Sequence, residues 1–203
     1  MNRPLLIGIG ASHSGAGKTT LASHILRYCV LRPSPIMPCR SLRWGAIKYT
    51  RTASFPEIIV DRIVLREEGK DTGRLLAAGA ADVVWVRSGA VGLAEALAAA
   101  VARLSHLDLI LIEGNSAIEF LNPDIVIFIF NKERERWKPG IGRLAARADI
   151  IFAADDIRLP AGIHPRKRFP GVFSRDGLEG FLISLVRMVD ERRIATRDAE
   201  KRG

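Results

Sequence analysis

The residues best equipped for chemistry lie close to the amino terminus, in the run Gly10-Ala11-Ser12-His13-Ser14-Gly15-Ala16-Gly17-Lys18-Thr19-Thr20. An apolar segment breaks into small residues there and then opens a helical stretch. That order suits a phosphate-binding loop. Ser14, Gly15, Ala16 and Gly17 let successive backbone N–H groups curl around an anion, and the helix that follows turns its positive end toward the same anion. Lys18 is expected to reach the β and γ phosphates, the Thr19 hydroxyl to ligate Mg²⁺, and Thr20 to complete the loop. The full pattern G-x-x-x-x-G-K-[ST] asks for glycine at position 12, where this chain has Ser12. The departure bears on the first turn of the loop and leaves the lysine and the hydroxyl in place.

A phosphate loop that works with a metal also needs an acid. Glu113 closes the apolar run 107–112 and precedes Gly114, so it fits the carboxylate that holds the metal or orients a water beside the γ phosphate. A strand-end carboxylate that caps the next turn is the plainer alternative. Lys48 and Arg51, at the end of a second strand-like run, suit phosphates or a second substrate, or are solvated cations. Lys70 and Asp71 offer a cation and a carboxylate to a substrate or to the metal, or simply form a helix-entry turn. Asn131-Lys132 follows another apolar run, as in guanine-binding Asn-Lys-x-Asp motifs. Position 134, however, is Arg134, so the carboxylate that would accept from guanine is missing. Asp155 or Asp156 at the next strand end could take its place, and the base, GTP or ATP, stays open. His13 faces either a phosphate or water, and His24, His106 and His164 lack metal-ligand spacing. Trp44, Trp85 and Trp137 read as packing residues.

The elements that must position these groups alternate in kind. Runs 4–10, 44–50, 82–87, 107–112, 124–130 and 149–153 are apolar enough for buried parallel strands. Helical spacing follows Lys18, follows the turn 69–73 through Leu75, Leu76 and Ala77 as far as Gly79, and recurs over 90–104, 142–147 and 178–189, the last with Asp176 as its cap. Residues 33–43 and 158–170 read as loops, 172–173 as a last short strand, and 52–69 give no firm assignment. The pattern predicts an α/β, three-layer fold like that of P-loop NTPases, with a mostly parallel sheet and ligands beyond the carboxyl ends of its strands. One nucleotide-binding domain is expected over 1–190, with 191–203 as a charged, frayed tail.

Composition narrows the partners. The 203 residues carry 31 Lys and Arg against 22 Asp and Glu, a net charge of +9, which favours anions. The two cysteines, Cys29 and Cys39, have no metal or disulfide spacing and suit a reducing compartment. No apolar run is long enough to cross a bilayer and the N-terminus does not read as a signal peptide, so a soluble cytoplasmic protein is expected.

Three segments resemble the molybdopterin-guanine dinucleotide biosynthesis protein B family. The run 7–20 is similar to that family's opening strand and loop. Gly69-Lys70-Asp71-Thr72 through Ala77-Ala78-Gly79-Ala80 is similar to its Gly-Lys-Asp-Ser segment and following Ala-Gly-Ala. The run 107–114 is similar to its strand ending in Glu-Gly. Two departures accompany them: Tyr49-Thr50-Arg51-Thr52 stands where the family has Thr and histidines leading to an Asp, and Asn115-Ser116-Ala117 where it has a basic, aromatic run. The resemblance implies GTP binding, assistance to molybdenum cofactor maturation with weak hydrolysis, a molybdenum-cofactor enzyme or pterin as partner, and a homodimer. A small-molecule kinase or ATP-dependent ligase, or a nucleotide-switched adaptor, would fit the same loop. Nucleic acid and membrane are not expected partners.

Overall fold

The computed structural model describes residues 3–31, 42–53, 55–133, 137–170 and 175–200. Its centre is set by three strands apolar on both faces. Strand β1 (Leu5–Ala11) is buried along its whole length, as are β5 (Leu109–Glu113) and β6 (Ile125–Ile129). Such strands must be covered from above and below, and parallel neighbours joined by crossover helices achieve that. β1 pairs in parallel with β5 on one side and β6 on the other. With β2 (Trp44–Arg51), β3 (Glu57–Ile59), β4 (Asp82–Ser88), β7 (Ile150–Phe152) and β8 (Lys167–Phe169), the sheet runs in the order β3-β4-β2-β5-β1-β6-β7-β8. Every pairing is parallel except that of the edge strand β3 with β4.

Side-chain alternation divides the sheet into two faces. Leu5, Ile7, Ile9, Leu109, Leu111, Trp44 and Ala46 join a core with Leu21 and Ile25 of α1 (Lys18–Leu26), Leu75 of α3 (Asp71–Ala77) and Phe181 and Leu185 of α7 (Arg175–Glu200). Leu6, Ile47, Ile110, Ile112 and Phe128 face the other way. They pack on α4 (Leu93–Arg103), α5 (Asn115–Leu121) and α6 (Ile141–Ala145). This is the three-layer architecture the alternating pattern predicts. Gly8 makes the close approach of α5 possible, because a Cβ there would lie 2.8 Å from Ile118 and 2.9 Å from Pro123.

The structure adds to and amends the sequence reading at several points. Residues 52–69, without assignment, contain β3 and a one-turn helix α2 (Arg62–Leu65) capped by Asp61, whose carboxylate accepts from the Ile63 N–H. Helix α5 had no expected counterpart. The segment 158–170, read as a loop, holds β8. It pairs with β7 through backbone hydrogen bonds, which demand no apolar side chains of an edge strand. The expected strand 172–173 and most of the loop 33–43 lie outside the described residues. Arg175 is already helical, so Asp176 lies inside α7 rather than at its cap. The helix continues to Glu200 through 191–200, the segment read as a tail, where no Gly or Pro interrupts it. Helix α1 runs on into a π-helical turn, Arg27–Leu31. No described helix is long and apolar enough to cross a membrane.

Candidate functional site

The strand order carries the chemical residues to one edge. β1 ends at Ala11 and its chain turns through residues 12–17 into α1. Two of those turns need positive φ, Gly15 at +82° and Gly17 at +93°, a region that glycine enters without steric cost. Gly17 occupies the N-cap of α1 with no side-chain cap, so the first N–H groups of the helix are left to face the cleft. Ser12 is fully buried and has φ outside the left-handed region. Its N–H donates to the Ile129 carbonyl at 2.9 Å, its carbonyl accepts from the Lys138 N–H at 2.9 Å, and its hydroxyl accepts from the Asn131 N–H at 3.2 Å. The serine therefore ties the start of the loop to the chain leaving β6. Ala16 is buried in the core beneath the loop.

Register then places the acid and the amine side by side. Lys48 of β2 stands opposite Glu113 of β5, and alternation points both toward the layer of α1 and α3. Glu113 is almost fully buried and accepts hydrogen bonds from the Thr19 hydroxyl at 2.8 Å to each of its oxygens. Lys48 Nζ lies 2.5 Å from Glu113 Oε1, 2.7 Å from Asp71 Oδ2 and 3.4 Å from Thr19 Oγ1. Arg74 closes the cluster, donating to Thr20 Oγ1 at 3.0 Å and approaching Asp71 at 3.4 Å. Burial alone would lower the Lys48 ammonium. The charge of Glu113 and the hydrogen bonds to Asp71 and Glu113 outweigh it, and Lys48 is held above the usual lysine value. Asp71 shows the converse balance: burial pushes it up, Lys48 pulls it further down, and the result lies below the usual aspartate value. Among the described residues, Lys18 has no such partner at hydrogen-bond distance. Burial lowers it, and Lys48 and Lys138 lower it further against the opposing charge of Glu113. A partly buried lysine lowered in this way gains from an anion brought to it.

These groups line an open cleft of about 1030 Å³ above the carboxyl ends of the strands. Ser14, Gly15, Gly17, Lys18, Thr19 and Thr20 form one wall, and Lys48, Arg51, Asp71 and Glu113 another. Lys70, Asn131 and Asp155 do not line it. Lys70 pairs with Glu67 at 2.5 Å and lies 5.0 Å over the Trp85 ring. Asn131 anchors the loop through its backbone, its carbonyl accepting from Trp137 Nε1, and Asp155 is exposed beyond β7. The cleft residues not singled out from the sequence include Asn115, Arg74 and Lys138. Asn115 exchanges two hydrogen bonds with the Ala11 backbone, at 2.9 and 3.0 Å, and so fixes the end of β1. Lys138 and Arg74 bring further cations. A strand-end Asn and isolated cations have no distinctive spacing, and only the fold assembles them. His13 is buried, with Nδ1 2.5 Å from the Ser14 carbonyl and Nε2 3.9 Å from Glu133.

The donor set suits Mg²⁺. A hydroxyl, the buried Glu113 carboxylate and the partly exposed Asp71 carboxylate are hard oxygen donors, and this ion commonly takes one or two protein oxygens beside phosphate and water rather than a protein cage. The described residues show no cluster of three or more His, Cys, Asp or Glu able to enclose a metal.

The fold is similar to that of HypB from Helicobacter pylori in complex with nickel, at 14% identity and a TM-score of 0.59, over 93% of this chain and 88% of that one. It is also similar to the signal recognition particle 54 kDa protein from Aeropyrum pernix K1 in complex with GDP, at 14% identity and a TM-score of 0.52, over 95% of this chain and half of that one. No curated protein matches the chain significantly. Loop, lysine, hydroxyl and acid on this three-layer fold define a nucleotide-binding P-loop protein. The family model for molybdopterin guanine dinucleotide synthesis protein B matches residues 6–139, which takes in the loop, Lys48, Asp71, Glu113 and Lys138. The chain belongs to that family.

Proposed function

We propose that this protein binds GTP with Mg²⁺ and serves molybdenum cofactor maturation in the cytoplasm, hydrolysing the nucleotide slowly. The observation that carries the reading is the convergence of Lys18, Thr19 and Glu113 at the mouth of a phosphate loop, in a chain whose family is described by guanine dinucleotide synthesis. Lys18 and the N–H groups of residues 15–19 hold the β and γ phosphates, and Thr19 and Glu113 hold the metal, with Asp71 beside them. Mg²⁺, when bound, supplies charge neutralisation across the phosphates. Glu113 orients the attacking water. It accepts from the Thr19 hydroxyl and lies beside the metal, which weakens it as a base and fits slow turnover. Asn131 and Asp155, beyond β6 and β7, are the candidates for reading the base. Of the cations and the acid read for a substrate or partner, Arg51 at the cleft mouth faces the client, a molybdenum-cofactor enzyme or its pterin, while Lys48 and Asp71 pair inside the cleft and Lys70 lies outside it. The functional unit is a homodimer.

A second reading is favoured by the width of the cleft. It extends past the loop to Tyr49, Arg51, Ser116 and Glu119, which leaves room for an acceptor, as in a small-molecule kinase or ATP-dependent ligase.

Calorimetric titration with GTP and ATP, each with and without Mg²⁺, separates these possibilities. The expected result is GTP binding that strengthens with Mg²⁺ and falls about 10- to 100-fold in Lys18→Ala, the loss of a charge-assisted contact of about 1.5–3 kcal/mol. Unchanged affinity in Lys18→Ala would place the nucleotide elsewhere. Preference for ATP, with stoichiometric transfer of its γ phosphate to a metabolite, would select the second reading.

A further inference from the structure

The position of Lys48 goes beyond phosphate binding. Its ammonium has three donors, and three oxygens face it: Glu113 Oε1 at 2.5 Å, Asp71 Oδ2 at 2.7 Å and Thr19 Oγ1 at 3.4 Å. The lysine side chain is 15% exposed and that of Glu113 4% exposed, so water screens the pair poorly. The cluster is also braced on all sides: β2 and β5 hold Lys48 and Glu113 in register, α3 supplies Asp71 from its first residue, and α1 supplies Thr19. These are the oxygens that a divalent cation needs.

We propose that Lys48 is a specificity-determining residue of the metal site, an internal cation that competes with free Mg²⁺ for the Thr19, Asp71 and Glu113 oxygens and yields them only to Mg²⁺ that arrives with a nucleotide. The proposal rests on the reading that Thr19 and Glu113 hold Mg²⁺. Mg²⁺ binds oxygens at about 2.0–2.1 Å and cannot share Glu113 Oε1 with an ammonium already in contact with it. Free Mg²⁺ would have to expel Lys48 into a cleft already lined by Lys18, Arg51, Arg74 and Lys138, with no new anion to receive it. A nucleotide brings that anion: its phosphates take up the released ammonium as well as the metal. Selection between free and nucleotide-bound Mg²⁺ then follows from charge balance within the cleft, without a moving lid.

The test is thermal melting of the nucleotide-free protein across a MgCl₂ titration, for the wild type, Lys48→Gln and Lys48→Arg, with Mg²⁺ and the non-hydrolysable analogue GMPPNP as the reference titration. Lys48→Gln is expected to bind Mg²⁺ alone about tenfold or more tightly than the wild type. Lys48→Arg, which keeps the charge, is expected to stay close to the wild type. Equal Mg²⁺ responses in Lys48→Gln and the wild type, in a protein that binds Mg²⁺ with GMPPNP, would overturn the proposal and leave the functional reading standing. Failure of every form to bind Mg²⁺ with GMPPNP would overturn that reading and the proposal with it. Should Lys48→Gln not fold, ¹⁵N-lysine NMR of the wild type decides. A solvent-protected Lys48 ammonium signal that is lost on adding Mg²⁺ and GMPPNP supports the exchange, and an unchanged signal rules it out.

Discussion

Ser12 occupies the place where a phosphate loop ordinarily opens with glycine, and its contacts explain why the loop tolerates it. No left-handed turn is required there, and the hydroxyl gives the Asn131 N–H an acceptor at 3.2 Å. Ser12→Ala would strand that N–H in a partly buried position, at a cost of about 1–2 kcal/mol. A loss of that size in the unfolding free energy from urea titration, seen as a lower midpoint with the far-ultraviolet spectrum unchanged, is the expected outcome; an unshifted midpoint would show that the hydroxyl is dispensable. The glycines and Lys18 were legible in the sequence because a phosphate loop constrains type and spacing together. Glu113 was legible because an acid that ends an apolar strand stands out. Asn115, Lys138 and Arg74 were not, since their roles arise from neighbours more than 50 positions away, as in the Arg74 to Thr20 and Asn115 to Ala11 contacts.

Among the elements, β1 carries the loop, and its opposite end is fastened by one side chain. Asp124, just before β6, accepts from the Leu6 N–H at 2.8 Å and from Arg3 Nη1 at 2.8 Å. Burial raises this carboxyl, but the hydrogen bonds from Arg3 and Leu6 outweigh it and hold the group below the ordinary aspartate value. The sign follows from linkage. A carboxyl lowered in the folded state stabilises fully above its unfolded value, near 3.8, and loses that contribution as the pH falls through the lower folded value. Asp124→Asn is therefore expected to cost about 1–2 kcal/mol at neutral pH, discounted for the exposed Arg3, and progressively less below about pH 4. Urea midpoints of the two proteins that stay equally separated down to about pH 2 would contradict this. The buried strands were legible from their unbroken apolar runs, and α3 and α4 from periodicity or turn chemistry. Helix α5 escaped because only Ala117 and Ile118 of its seven residues are buried, too few to make a pattern. Strand β8 escaped because Lys167 and Arg168 carry no apolar signature, and edge pairing is a backbone property.

Over the whole molecule, the parallel sheet brings Lys18, Lys48, Asp71 and Glu113 from positions almost a hundred residues apart to one cleft, in a chain of net charge +9. That excess of positive charge draws anions to the protein, and Lys18, Arg51, Arg74 and Lys138 bring part of it to the cleft. The fold and family were legible at this scale because three separated segments agree with one topology; the identity of the base was not, since Asn131 and Asp155 lie off the cleft lining. A crystal structure of the wild type grown with GMPPNP and Mg²⁺ decides where the nucleotide sits. β and γ phosphates are expected within hydrogen-bond distance of Lys18 Nζ and of the backbone N–H groups of residues 15–19, with Thr19 and Glu113 toward the metal. A nucleotide bound outside residues 12–20, with that loop facing no anion, would contradict that placement.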